Sequence, residues 1–276
     1  MNTRRSEGIE RGAKGAPLRA LNLHGFGAFT RKELLETRKT WRLWVLPGVL
    51  VFLGLTTPIM AAVTPAILKI TAQRQPGVVI KFPTPTSIDS YAQFMGNLAQ
   101  LALLVVIITG AAAIAGERRG GTAALVLTKP LSRTSFVWAK ALANLVILVV
   151  ATAIGTALCV VVTVALFDAQ HIVPFVESVG LWLALAAMFV CLMIWLSAAM
   201  DKQAAAAGAG LAVYAAIFAL TGFPAIREWT PAGILAANDT LLKGKDMALG
   251  RPVTVTLLLA IVFLIAAAWS FRRKEL

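Results

Sequence analysis

Residues 139–167 read AKALANLVILVVATAIGTALCVVVTVALF, and beyond Lys140 the run holds no charged side chain. A helix needs about 20 apolar residues to cross the hydrocarbon core of a bilayer, and this stretch exceeds that length without interruption. With no water inside the bilayer, a helix is the form in which one segment satisfies all its own backbone hydrogen bonds. The stretch therefore reads as a membrane-spanning helix. Working outward, five more windows have the same character: Trp44–Ile70, Gln93–Ala115, Pro174–Ala199, Ala204–Phe223 and Val253–Phe271. The chain of 276 residues is 58% hydrophobic and 14% charged, with a mean hydropathy of +0.78. Soluble domains carry about 45–50% apolar and about 25% charged residues, so a soluble or disordered protein is excluded. The expected fold is all-α: an integral, multi-pass membrane bundle of six transmembrane helices.

Three regions follow from the same reading. Residues 1–29 form a polar, basic amino-terminal tail, 30–43 an amphipathic interfacial helix, and 44–276 the six-span domain. No cleavable signal is expected, because the first apolar stretch begins only near Trp44. Arg4-Arg5 lacks the apolar segment that a twin-arginine signal needs soon after it. Pro47, Pro58 and Pro65 in the first span predict a kink or an early end. The run Ala204–Gly210 in the fifth suits close helix packing. Cys159 and Cys191 lie in separate apolar runs, which argues against a disulfide framework.

The net charge of +13 comes from 26 Lys and Arg against 13 Asp and Glu. With six spans, one side of the membrane receives ten basic residues in the amino-terminal tail and five around the second loop (Arg118, Arg119, Lys129, Arg133 and Lys140). Lys202 and three residues in the carboxyl tail bring that side to nineteen. The other side receives seven. Cytoplasmic loops of membrane proteins carry the Lys/Arg excess, so both termini are expected in the cytoplasm, with the chain in the inner (cell) membrane. The same rule accounts for the basic charge without a nucleic-acid partner.

The spans contain little chemistry. No Asp, Glu, Arg or His falls in the middle of any of them, and Lys140 is placed to snorkel at a cytoplasmic edge. That argues against a proton-driven transporter and against an intramembrane enzyme, which needs titratable groups held together. His24 and His171 lie in different loops on opposite expected faces, so no metal site is built from them. There is no G-x-x-x-x-G-K-[ST] loop, and Lys243-Gly244-Lys245 is not a substitute. The chain is expected to be non-catalytic, with no cofactor of its own. Asn97 and Gln100, three apart on one helical face, and Thr109 below them, either line a pathway or hydrogen-bond to neighbouring helices.

Two segments outside the spans are built for contact. Thr30-Arg31-Lys32-Glu33 fits a capping box in which Thr30 and Glu33 satisfy each other's backbone donors. The helix that follows puts Leu34, Trp41 and Trp44 on one face beside basic groups, a composition suited to the lipid interface. Between spans two and three, Gly120-Gly121 stops one helix, Thr122 caps a short apolar one containing Leu125, Val126 and Leu127, and Lys129-Pro130 ends it. Ser132 or Thr134 then caps the helix that re-enters the membrane. The result is a short crossbar rimmed by Arg118, Arg119, Lys129 and Arg133, set either against a partner or in the lipid interface.

At this loop the sequence resembles the ABC-2 type transporter permease family. Glu117-Arg118-Arg119-Gly120-Gly121-Thr122, then Leu125-Val126-Leu127-Thr128-Lys129-Pro130-Leu131-Ser132-Arg133, then Phe136 and Lys140, carry the resemblance. Lys32-Glu33-Leu34-Leu35-Glu36 and, more weakly, Trp229-Thr230-Pro231 extend it. The resemblance implies a half-transporter. Two permease subunits, identical or different, associate, each docked on a separate ATP-binding-cassette ATPase that holds ATP and Mg. The crossbar is then the coupling helix and residues 30–43 the connecting helix. Short helices in the loop Pro224–Pro252, around Ala232–Ala237, would close the outer end. A permease subunit of an exporter is the leading expectation. The alternatives are a scaffold that recruits an ATPase for maturation of another protein, and a membrane-embedded lipid-modifying enzyme.

Overall fold

The computed structural model describes residues 42–73, 84–116, 133–242 and 249–273. Among these, every regular element is helical. Helix α1 is Arg42–Gln73. The second span is composite: α2 (Ser87–Asn97), a π-helical segment (Leu98–Ala102) and α3 (Leu103–Ala111). Then follow α4 (Arg133–Leu166), α5 (Ile172–Ala199), α6 (Gln203–Leu220), two short helices, α7 (Pro224–Arg227) and α8 (Ala232–Leu242), and α9 (Gly250–Arg273). Six stretches are long and apolar enough to cross a membrane, in the six places the sequence predicts.

The boundaries moved in informative ways. The second span starts at Ser87, six residues before the apolar window, because Thr86 and Asp89 form a capping box there. The Asp89 carboxylate accepts from the Thr86 backbone N–H and hydroxyl, both at 2.8 Å. Helix α1 neither ends early nor breaks at its prolines. Pro58 and Pro65 deprive the carbonyls of Gly54 and Ala61 of their usual donors. The helix nevertheless lies along α4 over much of its length, and packing outweighs propensity.

That contact is close because two glycines meet. A Cβ on Gly54 would run into the carbonyl of Gly155, and one on Gly155 would stand 2.8 Å from the Leu50 carbonyl oxygen. Small residues allow such backbone approach where lipid supplies no hydrophobic drive for helices to associate. A second close packing centres on Met193 of α5, which leaves no room for a Cβ on Gly110 of the second span or Gly210 of α6. The small-residue run of α6 thus serves packing through Ala206 and Gly210, whereas Gly208 faces open space.

Helix α5 is the central post. Two thirds of its apolar window is buried, against 11% for α6 and 17% for α9. It touches α2, α3, α4, α6, α8 and α9. Trp195 of α5 stacks on Phe263 of α9 and donates to the Ser270 hydroxyl at 3.3 Å. One end of the bundle gathers Phe136, Phe271 and the termini of α3 and α5; residues 117–132 connect there, and we call it the loop end. Lys140 is buried near this end, with its ammonium 5.1 Å from the Phe136 ring, and is not extended toward solvent as the sequence suggested. At the opposite end, Tyr91 stacks on Phe175, and α8 packs on α5 and α2.

Candidate functional site on the second span

Interhelical attraction in a bilayer depends on close packing and on polar contacts, since helix faces and lipid tails are equally apolar. In this bundle, apart from the Trp195–Ser270 bond between α5 and α9, the side-chain hydrogen bonds described between spans converge on one element. The second span hydrogen-bonds to α1 through Asn97 Nδ2 and Thr57 Oγ1 (3.0 Å) and to α4 through Ser90 and Thr163 (2.8 Å). It bonds to α6 through the Tyr214 hydroxyl, which donates to the Ala99 carbonyl at 3.0 Å. It bonds to α5 through Ser197, which takes the Ile114 and Ala115 N–H groups and donates to the Ala111 carbonyl, all at 2.9 Å.

The same span departs twice from regular α-helix. Leu98–Ala102 is π-helical, a form that appears mostly as local interruptions and often at functional sites. The Ala99 carbonyl inside it is the one Tyr214 holds. Beyond Ala111, residues 112–114 form a turn before helix resumes at 115–116. Ala112, the residue that caps α3, has φ −92° and ψ −3°, at the edge of the right-handed helical region.

These interruptions sort the residues singled out from the sequence. Asn97 is half-buried and turned toward α1, where its amide is used in packing. Gln100 is exposed at mid-span, on an outward stripe with Leu101, Leu104 and Ile108. Thr109 is half-buried and returns its hydroxyl to the Val105 carbonyl at 2.7 Å. Asn97 and Gln100 therefore do not act as a pair. A carboxamide facing outward in the middle of an apolar span is costly against lipid.

Trp44 sits near the start of α1 with 62% of its surface exposed. Thr30, Glu33 and Trp41 lie outside the described residues. So do Glu117, Arg118, Gly121, Thr122, Leu125, Leu127, Lys129, Pro130 and Ser132 of the crossbar; Arg133 is the first residue of α4, its side chain likewise outside. The described structure fixes what flanks residues 117–132: Gly116 on one side and α4 on the other, both at the loop end. Sequence reasoning passed over Ser197 and Tyr214, since a serine near a helix end and a tyrosine in an alanine-rich helix are unremarkable until their partners are seen. Among the described residues, no three His, Cys, Asp or Glu come together as a metal site, and Cys159 and Cys191 are separate and buried.

Comparison with known proteins bears on this arrangement. The description "ABC-2 family transporter protein" matches residues 28–227. The chain belongs to the ABC-2 transporter family. The match begins before the first span, runs across residues 117–132 and ends with α7. The family member is 27% identical over 251 residues to an uncharacterized transmembrane protein of Bacillus subtilis, YxlG, covering 90% of this chain and 97% of the relative. It is 31% identical over 134 residues to the probable ABC transporter permease protein NosY of Pseudomonas aeruginosa, about half of each chain. Membership supports the reading of this ABC-2 protein as a permease subunit and implies association with an ATP-binding-cassette ATPase.

Proposed function

We propose that the chain is the permease subunit of an ATP-driven exporter in the inner membrane, and that residues 117–132 couple it to a separate ATPase. The observation that carries the reading is the second span. It is the element to which four other spans are hydrogen-bonded, it is interrupted at two levels, and it leads directly into the apolar, basic-rimmed crossbar. A loop moved from the cytosol acts first on this span. The outward stripe around Gln100 faces the route between two permease copies, identical or different, and short helices α7 and α8 close its outer end. The chain itself hydrolyses nothing: ATP and Mg belong to the partner, and residues 30–43, with Thr30, Glu33, Trp41 and Trp44, lie at the lipid surface.

Seating the crossbar in a groove of the ATPase buries Leu125 and Leu127, while Arg118, Lys129 and Arg133 meet acidic groups or carbonyls at the rim. The test is purification of the tagged permease from its own membranes after mild crosslinking. An ATP-binding-cassette ATPase is expected to accompany it. With Leu125→Asp, membrane insertion is retained while ATPase recovery and stimulation are lost. Absence of any such ATPase from the wild-type preparation overturns the reading, as does undiminished recovery and stimulation with Leu125→Asp.

A further inference from the structure

The break at the end of the second span has an unusual cause. An unbroken helix would close the bond from the Ala115 N–H to the Ala111 carbonyl. Here the Ser197 hydroxyl stands between them, accepting from Ala115 N and donating to Ala111 O, each at 2.9 Å. It also accepts the Ile114 N–H at 2.9 Å, whose own i−4 carbonyl, that of Gly110, is taken by Ala113 at 3.0 Å. A hydroxyl offers one proton and two lone pairs, and all three are used. Ser197, Ala111 and Ile114 are fully buried and Ala115 nearly so, at 3%. A side chain inserted into the helical ladder is a recognised cause of a break, and no proline or glycine lies within 112–115 to provide another.

The mechanical consequence is specific. Ala112 and Ala113 keep tight-turn bonds to Thr109 and Gly110, whereas Ile114 and Ala115, the next residues toward the crossbar, give their N–H groups to Ser197 of α5 and not to their own helix. Helix α5 is in turn the element packed against nearly every other span. We propose that Ser197 is the positioning residue that hands motion of the crossbar to the central helix, by holding the end of the second span open and tied to α5. This rests on the reading of residues 117–132 as the ATPase-coupling loop. Removing the hydroxyl leaves a donor and an acceptor that can close on each other. The second span then becomes continuous, and its end is released from α5.

The experiment uses the permease bound to its ATPase in lipid vesicles, with Gln100→Cys as a reporter for a water-soluble thiol reagent. Cys159 and Cys191 are buried and stay silent. With Ser197 in place, ATP changes the labelling rate at position 100. With Ser197→Ala the ATPase still binds and hydrolyses ATP, but the ATP-dependent change is lost; with Ser197→Thr, which keeps the hydroxyl, it returns. If Ser197→Ala does not assemble, Ser197→Cys, a much weaker donor and acceptor in a buried place, is held to the same criterion. An ATP response that survives loss of the hydroxyl overturns the proposal, as does an assembled Ser197→Thr protein that behaves like Ser197→Ala. Failure of the ATPase to bind the unsubstituted permease is a different result, and removes the coupling reading on which the proposal stands.

Discussion

At the scale of single residues, the bundle depends on side chains that are missing. Gly155 faces the backbone of Leu50, and backbone cannot turn aside as a flexible side chain can. Gly155→Val is therefore expected to destabilise the protein by about 1–3 kcal/mol, the usual range for overpacking a well-fitted site. Gly208, on an alanine-rich helix of the same bundle, has nothing within 4 Å of where its Cβ would stand. Gly208→Ala is expected to be neutral or to stabilise by up to about 0.5–1 kcal/mol through helix propensity. Unfolding in mixed detergent micelles measures both, and equal effects would mean that α1 and α4 do not cross as tightly as described. The contrast marks what the sequence could tell. The alanine- and glycine-rich run of α6 announces small-residue packing, but only the fold shows that Gly210 is wedged against Met193 while Gly208 points away. Ser197 was illegible for the same reason: its partners lie more than 80 residues distant, and nothing local marks the site of contact.

At the scale of elements, hydropathy was enough to find the spans and not enough to find their irregularities. Leu98-Ala99-Gln100-Leu101-Ala102 is an ordinary helical composition, and nothing in that run of neighbours marks its π geometry. The early end that the prolines of α1 suggest does not occur: the helix, packed on α4, continues through all three to Gln73. The capping box at Thr86 and Asp89 was legible in kind, since threonine three residues before aspartate is a helix-start pattern, but it lay outside the apolar window that set the expected boundary. Tyr214 supplies the test at this scale. It is the hydrogen-bond tie between α6 and the π segment, and Tyr214→Phe removes the hydroxyl while keeping the ring that packs edge-on to Phe189. Polar interhelical bonds in membranes are worth about 0.6 kcal/mol on average and roughly 1.7 at most, so the expected loss of stability is in that range. If the π segment moves during transport, the same substitution changes the ATP-dependent labelling of Gln100→Cys by more than this small stability loss accounts for. Labelling and unfolding measured side by side separate the two effects.

At the scale of the whole molecule, six spans put Gly116, the start of α4, the start of α1 and the end of α9 at one end of the bundle, and the turn Phe167–His171 with helices α7 and α8 at the other. The fold alone is silent on which end faces the cytosol; the charge distribution speaks to it. Counted along the sequence with six spans, nineteen of the 26 Lys and Arg are expected on the loop side. Transferring so many cations outward opposes both the membrane potential, at about 2.3 kcal/mol per charge per 100 mV, and the attraction of the anionic cytoplasmic leaflet. The loop end is thus expected inside, where ATP is. Cysteines introduced one at a time at Ser132, on the loop side, and at Trp229, exposed beside Arg251 at the opposite end, check this with an impermeant thiol reagent. In intact cells Trp229→Cys is expected to react and Ser132→Cys is not; in inverted vesicles the pattern reverses. The opposite pattern would leave every helix contact described above in place, yet remove the coupling function, because a crossbar on the outer face has no nucleotide-driven partner to move it.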